Sequence, residues 1–191
     1  MHGKPVATTR SVTTMPTGRL AVWWVIVSEI FIFGGILASY IMHRLGHPEW
    51  SYQSAQTSIW IGGFNTLVLL VSSYCAVTAH AHAEKNDGEK AAKFLYLTTI
   101  GGLIFLIVKT FEWYGKLSHG YTITSSGFFS FYYIAAGLHA LHVAAGMVIM
   151  LIIASAAKKG RELQRVEYIG IYWHFVDLVW IFLFPLLYIA K

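Results

Sequence analysis

Two polar pairs lie inside apolar stretches of this 191-residue chain. His139 and His142 are three residues apart, and so are His174 and Asp177, within YWHFVDLVW at 172–180. A three-residue spacing puts both members of a pair on one face of a helix. Imidazole and carboxyl groups can move protons, ligate a metal or bond to each other, so each pair is a candidate for chemistry.

Other polar residues stand in similar surroundings, among them Glu29 and Asn65. An ionisable group at membrane depth costs several kcal/mol or needs a partner, so it is a functional hypothesis. Counted from the expected cytoplasmic end of each span, Glu29, His142 and Asp177 share a layer within about 3 Å. His139 and Asn65 lie somewhat further out. We therefore expect an inward polar seam in which acids and imidazoles satisfy one another.

Glu112 is the remaining candidate for this seam, near the outer end of its apolar stretch. Lys109 precedes it by three residues, which places both on one helix face. The spacing predicts a local ion pair.

Composition indicates the elements that must position these groups. The chain is 56% hydrophobic and 12% charged, and a soluble domain carries about twice that charge fraction. The apolar residues fall into blocks long enough to cross a bilayer. The sequence thus predicts an all-α, polytopic membrane protein, a single domain over 20–191 after a polar tail at 1–19. The five predicted transmembrane helices run at about 20–43, 57–80, 93–115, 127–153 and 168–189.

Lysine and arginine residues predict the orientation of the bundle. Ten lie in the tail and in the second and fourth loops: Lys4, Arg10, Arg19, Lys85, Lys90, Lys93, Lys158, Lys159, Arg161 and Arg165. Three lie on the other side: Arg44, Lys116 and Lys191. The positive-inside rule then puts the N-terminus in the cytoplasm and the C-terminus outside. The net charge of +5 is explained by topology, so we do not infer nucleic-acid binding.

Paired glycines mark three predicted spans, at Gly34–Gly35, Gly62–Gly63 and Gly101–Gly102. Residues without bulky side chains let transmembrane helices approach closely. We expect these pairs to lie at helix contacts within this chain, and contact with a larger partner is the alternative.

Three interpretations of the buried polar residues stay open on the residues alone. Hydrogen-bonded pairs could specify how the five helices pack. Two histidines on different helices could ligate haem, the candidates being His80, His139, His142 and His174. The third interpretation is an ion-coupled transporter, although the repeated halves typical of that class are absent. A dinuclear copper site needs paired cysteines, and the chain has only Cys75.

Five ordered blocks resemble subunit III of the haem-copper cytochrome c oxidases. The blocks are VSEIFIFGG at 27–35, FNTLVLLVSSY at 64–74 with VTAHAHAE at 77–84, FEWYGKL at 111–117, GFFSFYYIAAGLHALHVAAG at 127–146 and YWHFVDLVWIFLF at 172–184. The resemblance extends over 20–188. Lys109 stands where the family usually has glutamine, and Ala140 replaces the glycine between the two histidines. The mitochondrial form of the family has seven helices, and its two leading helices have no counterpart among the five spans.

The resemblance implies a subunit of a bacterial respiratory oxidase that reduces O2 to water and translocates protons. Such a subunit binds no metal, haem or other redox cofactor of its own, because the haems and copper belong to partner subunits. It packs on subunit I in a complex that also contains subunit II, supports the stability of the active site and proton uptake, and binds phospholipids. The implied location is the bacterial cytoplasmic membrane. Glu29 matches the family's carbodiimide-reactive acid, and an apolar site favours the protonated form that such reactivity requires.

Related complexes keep other assignments open. A quinol oxidase and a nitric oxide reductase-associated complex have similar third subunits. The electron donor, cytochrome c or quinol, would act on this chain only through the complex, and membership of a respiratory supercomplex is also open.

Overall fold

Residues 17–190 are described by the computed structural model, and over that range the helices are joined by turns and loops and no strand is present. The helices are α1 (Thr17–Gly46), the short α2 (Trp50–Ser54), α3 (Ile59–Glu84), α4 (Gly88–Ser118), α5 (Gly127–Ala157) and α6 (Gln164–Phe184), followed by a π-helical turn (Pro185–Ile189). All except α2 and the turn are long and apolar enough to cross a membrane by themselves, and the turn extends the last span to Ile189. The predicted all-α bundle of five transmembrane helices is thereby confirmed.

Helix ends differ from the predicted spans for local reasons. α1 begins at Thr17, so the last three residues of the predicted tail are helical, whereas 1–16 and Lys191 lie outside the described residues. α4 begins at Gly88 rather than 93 because the carboxylate of Asp87 accepts a hydrogen bond from the backbone N–H of Lys90 at 3.1 Å. Such a cap satisfies one of the free N–H groups at a helix start.

Helix α6 is the most enclosed of the long helices. It packs against α1, α3 and α5, while α4 packs against α3 and α5 and completes a four-helix bundle. Trp173 and Trp180 of α6 are completely buried in this core. α1 lies at the periphery, on α5 and α6, and exposes most of its apolar residues. The end of the bundle that carries the α3–α4 loop is called the Asp87 end, and the opposite end is called the Trp50 end.

The glycine pairs differ in what they contact. A Cβ at Gly102 would lie 2.7 Å from the ring of Trp173, and one at Gly101 would lie 2.5 Å from the Cβ of Ser72. These two glycines therefore allow α4 to approach α6 and α3. Gly34 and Gly35 on α1 have no atom within 4 Å of a Cβ built there, among the residues the structure describes. A Cβ at Gly62 would lie 2.5 Å from the ring of Phe184, so close contact within this chain holds for Gly101–Gly102 and for Gly62. It does not hold for Gly34–Gly35, for which only contact with a partner stays open.

At the Trp50 end, α1 is bonded to the last residues described. The hydroxyl of Tyr40 donates to the carbonyl of Leu186 at 3.0 Å, and Arg44 donates to the carbonyl of Ala190 at 2.6 Å. These carbonyls belong to the end of the last helix, where helical partners run out. Side chains of α1 therefore donate hydrogen bonds to carbonyl groups that have no donor within the described part of the last helix.

Candidate functional site

Glu29 on α1 and His142 on α5 meet at membrane depth. Oε2 of Glu29 lies 3.0 Å from Nε2 of His142, an ion-pair distance without the alignment of a hydrogen bond, and both side chains are about 15% exposed. Nδ1 of the same imidazole lies 2.8 Å from the carbonyl of Leu138, and the edge of the ring faces Phe33 at a centroid distance of 5.3 Å. The carbonyl can only accept, so Nδ1 carries a hydrogen. The imidazole is thus held on two sides.

A cavity of about 560 Å³ opens beside this pair, between α1, α5 and α6. Its walls are mostly apolar, with Val25 on α1 and Ala145 and Ile149 on α5. Arg165, near the start of α6, also lines it. The cavity is therefore apolar along most of its length and has a basic group near the Asp87 end.

His174 and Asp177 share a helix but do not bond to each other. Nδ1 of His174 lies 2.5 Å from the hydroxyl oxygen of Ser73 on α3. Asp177 is only 4% exposed, and neither carboxylate oxygen has a hydrogen-bond partner in the described part of the chain. His174 is half-buried at the bundle surface, whereas Asp177 turns into the core.

Asn65 and His139 lie in the core near Phe105. His139 is completely buried and stacks on Trp180 at a centroid distance of 5.3 Å, and neither ring nitrogen has a partner among residues 17–190. The side-chain N–H of Asn65 donates to the carbonyl of Phe105 at 3.5 Å, at the long limit for a hydrogen bond. These two polar side chains are held mainly by packing.

Glu112 forms the densest polar cluster, near the Trp50 end. Nζ of Lys109 lies 2.9 Å from its carboxylate, so the predicted ion pair is present, and Nζ of Lys116 lies 3.3 Å away. The hydroxyls of Tyr132 and Tyr188 donate to the same carboxylate at 2.9 and 2.8 Å. All five side chains are buried. We call these residues the Glu112 cluster.

Aromatic rings complete the surroundings of the buried ammonium group. Nζ of Lys109 lies about 5 Å from the ring centres of Tyr132, Trp180 and Tyr188, and it also hydrogen-bonds both tyrosine hydroxyls. Ring faces attract cations, more strongly when water is absent. Ion pairing, hydrogen bonding and aromatic contact together offset the loss of hydration.

Sequence reasoning did not assign Lys116, Tyr132 or Tyr188 to this cluster. Lys116 is four residues after Glu112 and could have been found by spacing. The tyrosines come from α5 and the π-helical turn. Their contact with Glu112 depends on the register between helices, which one chain's sequence pattern does not specify.

The seven predicted residues form separate contacts over the described range. Glu29 pairs with His142, His174 with Ser73, and Glu112 with its lysines and tyrosines. Asn65, His139 and Asp177 join none of these groups by a hydrogen bond in residues 17–190. The functional role of the polar seam stays a prediction.

No group of three or more histidine, cysteine, aspartate or glutamate side chains is placed to hold a metal ion within residues 17–190. The groups that meet are an acid–imidazole pair and a lysine–carboxylate–tyrosine cluster. Both arrangements can fix helices relative to one another, and both can hold a proton at a defined atom.

Comparisons with known proteins agree with this architecture. A family model described as cytochrome c oxidase subunit III matches residues 7–191. A protein of Thermostichus vulcanus named cytochrome c oxidase subunit 3 is 31% identical over 169 residues, 86% of this chain and 83% of that protein. A probable cytochrome c oxidase subunit 3 of Mycobacterium leprae is 33% identical over the same shares. A cytochrome c oxidase subunit 3 of a Synechocystis strain is 31% identical over 86% of this chain and 72% of that protein.

Proposed function

The chain belongs to the cytochrome c oxidase subunit III family, and on that premise we propose that it packs on subunit I of a bacterial terminal oxidase, supports the active site there and helps to maintain proton uptake. Its function lies within the oxidase complex, which is the enzyme; the subunit itself is non-catalytic. The observation that carries the proposal is the family match over 7–191 in a chain with five membrane-spanning helices.

Purification of the complex tests the proposal. The chain would be tagged, extracted in mild detergent and analysed for polypeptides, haem and copper. We expect oxidase subunits I and II, with the haem and copper in those partners. A haem-loaded chain that purifies without an oxidase core would contradict the proposal.

We propose further that the protein lies in the bacterial cytoplasmic membrane with the Asp87 end in the cytoplasm. The concentration of Lys90, Lys93 and Lys158 at that end supports this orientation. Single cysteines introduced by Glu49→Cys and Lys159→Cys, with Cys75→Ser as background, would be treated with a membrane-impermeant maleimide in intact cells with a permeabilised outer layer. We expect labelling at position 49 and protection at 159, and the reverse pattern would invert the topology.

Glu29 is our candidate for the carbodiimide-reactive acid. It borders an apolar cavity and is partly exposed there, so a hydrophobic carbodiimide dissolved in the bilayer can reach it. Glu112 is the internal control, because two lysines and two tyrosines surround its carboxylate. After treatment with dicyclohexylcarbodiimide, mass spectrometry should find the adduct on Glu29 and not on Glu112. An adduct on Glu112 alone would reject the assignment.

The same cavity is our candidate for a phospholipid site. Its apolar walls suit acyl chains, and Arg165 suits a phosphate group. Ala145→Trp would fill the cavity, whereas Ile152→Trp places the same bulk on an exposed face of the same helix. We expect native mass spectrometry of the oxidase to show one phospholipid fewer for the first variant only. Equal lipid content in both variants would remove the cavity as a lipid site.

We propose cytochrome c as the donor to the complex, supported by the names of the relatives. Steady-state oxidation of reduced cytochrome c by the purified complex tests this choice. Turnover with quinol but none with cytochrome c would favour the quinol oxidase alternative.

A further inference from the structure

Hydroxyl groups on the outer surface of the bundle are mostly satisfied by their own helices. Ser28 donates to the carbonyl of Val25 at 2.7 Å, and Thr110 donates to that of Leu106 at 2.8 Å. Ser155 on α5 does the same. Such groups can face lipid at little cost, because their hydrogen bonds are already made.

His174 differs from these hydroxyls. It lies ten residues after Gln164, about 15 Å along α6 from the Asp87 end at 1.5 Å per residue. Its Nδ1 meets the hydroxyl of Ser73, but no partner of Nε2 is present in residues 17–190, and the ring is partly exposed. A neutral imidazole has one donor and one acceptor nitrogen, so either tautomer leaves a hydrogen-bonding group facing outward at membrane depth.

Tyr74 presents a second polar atom at the same depth. It lies ten residues before Glu84, again about 15 Å from the Asp87 end. The side chain is 71% exposed, and its hydroxyl has no side-chain or backbone partner within the described range. Ser73, the partner of His174, and Tyr74 both belong to the i, i+3, i+4, i+7 stripe that starts at Leu70, so the two polar atoms lie on one face of α3.

The surface that carries them is called the α3–α6 face and consists of Leu70, Ser73, Tyr74 and Val77 on α3 with His174 and Leu178 on α6. The α3 residues follow i, i+3, i+4, i+7 spacing, and the α6 residues follow i, i+4 spacing. At the Asp87 end the face deepens into a groove of about 240 Å³. Polar groups bound that end, including His80 and the Arg19–Glu167 ion pair at 3.2 Å.

The outward faces of α4 and α5 provide a contrast. The exposed residues Leu103 and Ile107 on α4 and Leu141 and Ile152 on α5 are aliphatic, and the exposed aromatic residues of α4, Phe111 and Tyr114, lie nearer the Trp50 end. Acyl chains cover such faces without loss, because lipid is as apolar as these side chains. The α3–α6 face requires something else, since acyl chains cannot hydrogen-bond an imidazole.

We propose that the α3–α6 face docks a transmembrane helix of a neighbouring oxidase subunit, which presents a hydrogen-bonding side chain at the depth of His174. The inference rests on the proposed function, because it takes its partner from the oxidase complex. Polar side chains between transmembrane helices hydrogen-bond across the interface, which gives the contact its register.

Site-specific photocrosslinking in the intact oxidase tests the face. A benzophenone amino acid would replace Leu178 on the proposed face, which is 50% exposed, and Ile152 on the α5 face, which is 63% exposed. After illumination of the membranes, the tagged chain would be purified and its adducts sequenced by mass spectrometry. We expect a covalent adduct to an oxidase subunit from position 178 and lipid adducts alone from 152. Lipid adducts alone at 178, or an adduct to a second copy of this chain, would overturn the proposal.

This design separates the two hypotheses. A chain that co-purifies with the oxidase but crosslinks to it only from position 152 upholds the proposed function and rejects the α3–α6 face. A chain that neither co-purifies nor crosslinks rejects both.

Substitution of the polar group gives a second readout. His174→Leu should lower the fraction of the chain that stays with the oxidase through a detergent wash several-fold, and His174→Asn should restore most of it because the amide can bond in place of the imidazole. Leu141→Ala, an exposed position on α5, is the control and should leave retention unchanged. Equal retention of the His174→Leu protein and the native chain would count against the proposed hydrogen bond.

Discussion

Oε2 of Glu29 lies 3.0 Å from Nε2 of His142, and this contact joins the peripheral helix α1 to the four-helix bundle. α1 exposes most of its apolar surface and packs on only part of α5 and α6. One polar contact at membrane depth makes up a larger fraction of the interactions that hold such a helix than of those that hold an enclosed helix. We therefore treat the pair as the contact that couples α1 to the bundle at membrane depth, in addition to the polar contacts at its two ends.

His142→Phe removes the partner of Glu29. A polar contact between transmembrane helices is worth about 0.6–2 kcal/mol, so we expect stability to fall by that order. The measurement is the temperature at which the single, partly buried Cys75 becomes open to a maleimide, quantified by mass spectrometry of the purified oxidase.

His139→Leu is the matched control on the same helix. The ring nitrogens of His139 have no hydrogen-bond partner in the described range, so an apolar side chain of similar size should be nearly neutral. A larger loss for His139→Leu than for His142→Phe would reverse our ranking of the two histidines.

Glu29→Ala should leave the haem spectra and the initial rate of the oxidase unchanged, because this chain holds no redox centre. We expect the number of turnovers before inactivation to fall several-fold. The reason is that α1 loses its polar contact with His142 on α5, so that the support to subunit I weakens. Progress curves of oxygen consumption measure this lifetime. Glu89→Ala removes an exposed acid at the start of α4, away from the cavity, and should keep the native lifetime. A shifted haem spectrum in Glu29→Ala would contradict the assignment.

Sequence patterns predicted what depends on spacing along a single helix. Long apolar blocks predicted the five spans, and the three-residue interval predicted the pair of Lys109 and Glu112. The count of residues from the span ends put Glu29 and His142 in one layer, and the structure brings them into contact.

Contacts set by the rotation of one helix against another could not be predicted in this way. His174 and Asp177 share a helix face, yet His174 reaches Ser73 of α3 whereas Asp177 turns into the core. Tyr188, which lies in the π-helical turn that begins at Pro185, donates a hydrogen bond to Glu112 at 2.8 Å. The last span is uniformly apolar, so its hydrophobic periodicity indicates neither how α6 is rotated nor where the π-helical turn begins.

Gly102→Val should destabilise the bundle. A Cβ at this position would lie 2.7 Å from the ring of Trp173 and 3.0 Å from the sulfur of Met147, both of which are held in the packed interior. Overpacking of this kind costs roughly 1–3 kcal/mol. The Cys75 labelling temperature should fall accordingly.

Gly35→Val is the matched control for this change, because a Cβ there meets no atom within 4 Å among the described residues. It should leave the stability of the isolated chain near that of the native one. Equal losses for the two valine variants in the isolated chain would show that helix propensity, and not helix contact, decides the outcome.

Lys109 gives the sharpest test of the Glu112 cluster. Lys109→Met leaves Glu112 with one lysine in place of two and leaves a space between three aromatic rings. Removing one partner of a buried ion pair costs about 3–5 kcal/mol, and we expect the low end because Lys116 remains. Lys109→Gln should cost less, since the amide can still donate to the carboxylate.

Lys93→Met removes an exposed lysine of the same helix and should change stability by at most about 0.5 kcal/mol. The Cys75 labelling temperature ranks the three variants. If Lys109→Met equals Lys93→Met, the buried ammonium group contributes no net stability, and Lys116 with the tyrosine hydroxyls suffices to hold Glu112.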